Sequence, residues 1–338
     1  MKKVNVQDAV GMELCHDLTE MKDCFKGAAF RRGHIIREED IPRLLEMGKE
    51  HIFVWEENAG EVHEEDAAKR FAASCPVPNG RYEGPSEGKV LLFAECPGLF
   101  RVDTDLLRKI NAVGDITVSS IPDHYPLSGG EKLASMRIVP LVTKEEQIRT
   151  MENLLSEKPL FRILPYRPLK AAVIVTGSEI YHGRREDRFI PVAKAKLGRF
   201  PAELIGASIV DDREEMIVET AERYLADGAE LILISGGMSV DPDDVTPSAI
   251  RKLGCEIVTY GLPSQPGNMS LVSYRGSAAV LGVPGAAVAL PTTVFDVLLP
   301  QIFAGERFTK TELYNLAEGG LCQSCRVCHW PNCTFGRY

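Results

Sequence analysis

The stretch Leu231–Ile250, LILISGGMSVDPDDVTPSAI, decides how the central half of this 338-residue chain is read. It opens on a short, wholly apolar run, the pattern of a strand buried on both faces, as in a parallel sheet. The run stops at Gly236-Gly237. Asp241, Asp243 and Asp244 then gather ahead of a helix start at Thr246-Pro247, with Thr246 read as N-cap and Pro247 as N1. Glycines let a backbone turn its N–H groups towards a ligand. The positive end of the following helix favours a phosphate or a carboxylate. Carboxylates beside such an anion call for a cation between them, so the stretch predicts an anionic phosphorylated ligand with Mg2+.

Working outward, the same strand–helix alternation recurs. KAAVIVT is an apolar run ending at Gly177, FIPVAKAKL is helical, and AELIGASIV is a strand ending at Asp211-Asp212. REEMIVETAERYLADG is an amphipathic helix closed by Gly228, SAAVLGV is a strand, and Ala286–Phe303 reads as one last helix. Short apolar strands alternating with helices predict an α/β fold: a parallel sheet covered on both faces, in three layers. Ligands of such sheets bind beyond the carboxyl ends of the strands. Those ends carry Thr176, Gly177 and Glu179; Asp211 and Asp212; Ser235, Gly236, Gly237, Ser239 and Asp244; and Pro284-Gly285. Pro266-Gly267 lies in a further loop, GLPSQPGNMS. Glycines, hydroxyls and carboxylates converging from four strands are a site signature.

SGGMSVDPDDVTP resembles the Gly-Gly-x-Ser/Gly…Asp-Val-Thr-Pro signature of the molybdopterin-binding domain family, shared by molybdopterin adenylyltransferases and molybdopterin molybdenumtransferases. VIVTGSEI, SIVDDREEM, QPGNM and LGVPGAA extend the likeness, in order, over residues 165–305. The segment GHIIREEDIPRLLEMGKEHIFVWE is similar to one that precedes the domain in molybdenumtransferases. The resemblance implies that Gly236, Gly237 and Ser239, with Ser235 and Thr246 beside them, cradle the terminal phosphate of the pterin. It implies that Asp244 lies near a metal or the transferred group, that Asp211 or Asp212 is the second functional acid, and that Thr176, Gly177, Glu179, Pro266-Gly267 and Pro284-Gly285 complete the pterin site. The implied function is a step in molybdenum cofactor assembly with Mg2+: insertion of molybdenum from molybdate into molybdopterin-AMP, or adenylylation of molybdopterin. Asp241-Pro242, where a glycine is usual, and PGAA in place of Pro-Gly-Asn-Pro depart from the molybdenumtransferase pattern. They favour a third possibility, a non-catalytic cofactor carrier or sensor that docks to a molybdoenzyme.

The flanks read differently. Residues 1–160 mix strand-like HIFVWE and GKVLLFAE with helical EEDIPRLLEMG, in which Gly48 stands at C′, and form an α+β region. TKEE predicts a capping box that starts a helix at Thr143, with Glu146 three residues on. KRFAASCPVPNGRYEGPSEG reads as a loop or linker. The tail, residues 312–338, carries Cys322, Cys325, Cys328 and Cys333, spaced C-x2-C-x2-C-x4-C. That spacing suits Zn2+ or an iron–sulfur cluster. It predicts a segment ordered only by its metal and dispensable to the sheet domain. Cys15, Cys24, Cys75, Cys96 and Cys255 read as core or surface residues. A net charge of -9 argues against a nucleic-acid partner. No apolar run approaches a membrane span, and MKKVNVQDAV is no signal peptide, so a cytoplasmic protein is expected. The expected partners are the pterin substrate, a molybdoenzyme and further copies of the chain.

Overall fold

The computed structural model describes residues 1–22, 25–56, 58–239, 241–242 and 244–337. Asp243 and Cys24 lie outside the described residues. The described residues fall into two compact units, one of Met1–Phe93, Val102–Ile121 and Lys132–Phe161, the other of Ala94–Arg101, Pro122–Glu131 and Arg162–Tyr338.

The first unit is α+β. Lys2–Asn5 pairs antiparallel with His51–Val54, and Lys89–Ala94, Lys132–Ile138 and Ile116–Ser120 form an antiparallel array. Gly48 takes φ +74° just beyond the helix Ile41–Glu46, as a C′ glycine should. Two local readings fail here. The stretch read as a linker is instead the end of the helix Glu64–Ser74 and the strand Gly80–Ser86. Thr143 caps nothing: it lies in the strand Val142–Lys144, and the next helix, Glu145–Glu157, follows Lys144. The Thr143 hydroxyl donates instead to Asp115 Oδ2 at 2.8 Å. A long-range acceptor has outcompeted the local cap.

The second unit holds the sheet that positions the site. Its elements are β1 (Leu169–Thr176), α1 (Ser178–Tyr181), α2 (Phe189–Leu197), β2 (Ala202–Val210), α3 (Glu214–Ala226), β3 (Leu231–Ser235), α4 (Thr246–Lys252), β4 (Glu256–Tyr260), β5 (Leu271–Arg275), β6 (Ala278–Val283), α5 (Ala286–Ala289), α6 (Val294–Phe303) and α7 (Lys310–Asn315). The strand order is β2-β1-β3-β6-β5-β4. The first four strands are parallel, as the apolar runs predict. Beyond them β5 runs antiparallel to β6, and β4 antiparallel to β5. This edge pair was not expected from the sequence. Alternate residues serve the two faces. Val173, Val175, Leu233 and Leu281 pack under α2 and α6, while Ile174, Ile232, Ile234 and Val280 pack under α3 and α4. Gly206 sits inside β2 because a Cβ there would lie 2.3 Å from the Tyr224 ring. The register slips beside it, as at a β-bulge.

Two further corrections concern the end of the chain. The predicted helix over Ala286–Phe303 is two helices, α5 and α6, broken at Leu290-Pro291-Thr292; a proline removes an amide donor and disfavours helix in the residue before it. The cysteine tail is not a loose appendage. Phe335 is 2% exposed and belongs to the core under α6, with Cys322, Trp330 and Cys333 packed against it. Gln265 N–H donates to Gly320 O at 2.7 Å and Cys322 N–H to Gln265 O at 2.8 Å, tying the tail to the Pro266 loop. This packing orders the tail without reference to a metal.

Candidate functional site at the carboxyl edge of the sheet

The Gly236-Gly237 turn is built by its neighbours. Gly236 has φ +105°, and a Cβ there would lie 2.1 Å from Thr176 O; only glycine lets the turn approach β1 so closely. Gly237 has φ +53°, with Thr246 Oγ1 and Thr176 Oγ1 at 3.1 and 3.5 Å from its would-be Cβ. Such a Cβ would point back into the protein, so a side chain at Gly237 would act by displacing the turn.

Three anchors hold the turn. Thr246 Oγ1 donates to Gly236 O at 2.7 Å and Thr246 N–H to Gly237 O at 3.3 Å. Thr246 is therefore the first residue of α4 rather than its N-cap, which is Val245, and Pro247 moves to the second position. Met238 is buried against Gly282 of β6, whose would-be Cβ lies 2.5 Å from Met238 Cε. Tyr260, at the end of β4, donates to Met238 O and Ser239 O, both at 3.1 Å. Partial burial raises the pKa of this phenol, so it stays protonated and able to donate.

With the turn so fixed, the backbone N–H groups of Gly237, Met238 and Ser239 find no acceptor among the described residues. The Thr176 hydroxyl, on a residue 2% exposed, also lacks a partner. Buried polar groups are normally satisfied. Unpaired donors and an orphaned hydroxyl at one strand edge form a receptor for hydrogen-bond acceptors. Ser235, at the end of β3, is buried just ahead of the turn.

The acids sort into two sets. Ser178 N–H donates to Asp212 Oδ2 at 2.7 Å, Ser178 Oγ donates to Asp211 Oδ1, and Asp212 N–H donates to Asp211 Oδ1 at 3.0 Å. Both carboxylates thus hold the start of α1, and the Ser178 hydrogen bond keeps the Asp211 carboxyl below the usual carboxylate range. Asp244 instead closes its own turn, accepting from Asp241 N–H at 3.0 Å. Its other oxygen has no hydrogen-bond partner among the described residues. Glu179 is exposed, and its carbonyl receives Arg184 and Arg185 N–H. Gly177 is the residue on which α1 starts.

The two proline-glycine loops also lie on this edge of the second unit. Pro266 O accepts Val294 N–H at 3.1 Å, and a Cβ on Gly267 would lie 2.8 Å from Val294 Cγ1, seating that loop on α6. Pro284 O accepts Ala287 N–H at 3.0 Å and starts α5, with Gly285 exposed. Lys196 Nζ, almost buried, bridges Pro291 O at 3.0 Å and Asp296 Oδ1 at 2.5 Å, fixing the break between α5 and α6.

Among the described residues no three His, Cys, Asp or Glu side chains form a group able to hold a single metal ion. This covers both Asp244 and Cys322, Cys325, Cys328 and Cys333. Sequence reasoning also missed Ser178, Tyr260 and the exposed Arg184, Arg185 and Arg188 in the α1–α2 connection, which have no ion-pair partner among the described residues. The basic run GRREDR was visible in a chain of negative net charge. Nothing local marks Ser178 or Tyr260.

Comparison with known proteins bears on the identity of the sheet domain. Residues 172–304 match the family described as "Probable molybdopterin binding domain", and residues 3–56 match a "Domain of unknown function (DUF8806)". The molybdopterin molybdenumtransferase of Synechococcus elongatus is 25% identical over 203 residues, 56% of this chain and 50% of that protein. A CinA-like protein of Mycobacterium avium is 36% identical over 91 residues, 26% of this chain and 21% of that one. The molybdopterin biosynthesis enzyme MoaB from Thermus thermophilus is similar at 22% identity and a TM-score of 0.36, over 42% of this chain and 99% of that one. The chain thus spans half or less of the length of these curated relatives. No helix among the described residues is long and apolar enough to cross a membrane. Residues 172–304 are a molybdopterin-binding-type domain, homologous to that of the molybdopterin molybdenumtransferases.

Proposed function

We propose that the carboxyl edge of the sheet binds molybdopterin or its adenylylated form, and that the protein acts in molybdenum cofactor assembly by inserting molybdenum. The observation that carries this reading is the set of unpaired amides at Gly237, Met238 and Ser239, with the orphaned Thr176 hydroxyl beside them. Amides to a phosphate oxygen are charge-assisted hydrogen bonds, about 1.5–3 kcal/mol each. The free arginines of the α1–α2 connection add positive charge on the same unit, which suits a ligand with more than one phosphate.

Mg2+ fits the donors present. It keeps several waters and takes one or two protein carboxylates plus substrate phosphates rather than an all-protein cage. Asp244 is the carboxylate that would hold it, through the oxygen not used by Asp241 N–H. The cation would neutralise phosphate charge beside the acids. In the insertion reaction the dithiolene sulfurs bind molybdenum from molybdate, displacing oxo ligand as water, and the phosphoanhydride between AMP and the pterin phosphate is hydrolysed to release AMP; the chain's own part is to hold the pterin phosphate and fix its orientation. Asp211 and Asp212 serve this indirectly, by pinning Ser178 at the end of β1.

One observation favours a second reading. The Asp241 N–H to Asp244 bond ties the acid into its own loop, as in a carrier that binds without converting. Single-turnover assays with molybdopterin-AMP and molybdate separate the two, since a carrier retains ligand but releases no AMP. For the site itself, the test is calorimetry with molybdopterin on the parent, Gly237→Val and Asp244→Asn. Displacing the turn should weaken binding at least tenfold, about 1.4 kcal/mol. Loss of the Asp244 charge should abolish the strengthening of binding by Mg2+. Unchanged affinity in a folded Gly237→Val protein would remove the turn from the site.

A further inference from the structure

The tail encloses a cavity of about 210 Å³ at the Pro266 loop, and all four of its cysteines, Cys322, Cys325, Cys328 and Cys333, line that cavity. The rest of the lining includes Trp330 and Phe335. All four thiols are free, with Cys325 and Cys328 exposed and Cys322 and Cys333 partly buried. The cavity walls are secured from several directions. Phe335 enters the domain core, Arg199 lies over the Trp330 ring at 5.1 Å, and Gly336 N–H donates to Gly319 O at 2.9 Å. Thr292 Oγ1 sits 3.1 Å from Cys328 Sγ, a neighbour able to donate to a thiolate.

We propose that these four thiols bind a [4Fe–4S] cluster. The four thiols line one largely apolar space of about 210 Å³, wider than the single point about 2.3 Å from every sulfur that one Zn2+ needs. Thiols spread around a cavity suit a cluster, whose irons each take one thiolate at separate corners. The order of the ligands agrees. Three cysteines at x2 spacing are followed by a fourth after the Trp330 segment, and all four line the cavity. The site is distinct from the Gly236 turn. It touches the pterin edge through Pro266 alone, so cluster binding stands or falls independently of the pterin reading.

The test is anaerobic reconstitution of the full chain with equal parts Fe2+ and Fe3+ and one sulfide per iron. This mixture supplies the oxidised core without a further oxidant, and the four thiols release their protons to the buffer. The expected product is brown, absorbs near ~400 nm, carries about four irons and four sulfides per chain, and bleaches when dithionite adds an electron. Cys325→Ser and Cys328→Ser, at exposed positions, should keep the melting temperature of the apo-protein and lose at least tenfold in bound iron. Cys255→Ser, outside the tail, should lose none. Binding of about one zinc per chain that iron and sulfide fail to displace would overturn the proposal. So would a colourless product, or full iron retention in both tail variants.

Discussion

At the residue scale, Thr176 is the most informative position. Its hydroxyl is buried and lacks a partner among the described residues. A buried donor left unsatisfied costs about 1–3 kcal/mol, and replacing it with an apolar group of the same shape is neutral or stabilising. Thr176→Val should therefore melt at the same temperature as the parent, or slightly higher, while molybdopterin binds about five- to tenfold more weakly, for one lost hydrogen bond of about 1–1.4 kcal/mol. Equal binding by calorimetry would make Thr176 a packing residue only. Gly236 predicts the opposite pattern. Its Cβ would strike the Thr176 backbone oxygen, so Gly236→Ala should lower stability first and binding as a consequence. The paired behaviours distinguish a group that contacts ligand from one that shapes the turn.

At the element scale, the turn depends on β4, the strand farthest from β2 in the sheet. Tyr260 reaches back from its end to two carbonyls of the turn. Tyr260→Phe keeps the ring and removes both bonds. Stability should fall by about 1–2 kcal/mol, and KM for the pterin should rise more than kcat falls, because the loss is one of position; a kcat decrease with KM unchanged would place the phenol in the chemistry instead. This dependence also explains what the sequence did and did not disclose. The central parallel strands were legible because LILI and AAVIV are apolar at every position, as burial on both faces requires. EIVTY and LVSYR are interrupted by polar residues and lie beside a loop, so their antiparallel pairing rests on β6 rather than on any local signal. The glycines, Thr176 and Asp244 were legible because unusual residues cluster at strand ends. The role of Asp211 and Asp212 was not, since it is set by Ser178, more than thirty residues earlier in the chain. Thr143 shows the limit of a capping motif when a stronger acceptor arrives from elsewhere in the fold.

At the scale of the whole molecule, the question is whether the tail is part of the domain or an attachment to it. Phe335 lies in the same core as Val297, Phe303 and Leu313. Gly336 packs so closely that its would-be Cβ lies 2.5 Å from Val297 Cγ2. Arg337 reaches His124 O at 3.2 Å and lies 4.6 Å over the Tyr125 ring. These contacts are made by residues after the last cysteine, so the tail is closed at both ends and its order does not rest on metal coordination alone. Removing a buried phenylalanine side chain costs about 3–5 kcal/mol through lost transfer energy and the cavity left behind. That is a large share of the 5–15 kcal/mol typical of a folded protein. Phe335→Ala should therefore lower the melting temperature by several degrees in metal-free protein, and truncation after Ala317 should lower it at least as much. Cys325→Ser, whose side chain is exposed, should leave the metal-free melting temperature unchanged. Calorimetry on chelator-treated protein checks all three. A truncated chain as stable as the parent would return the tail to the status of an appendage ordered by its metal.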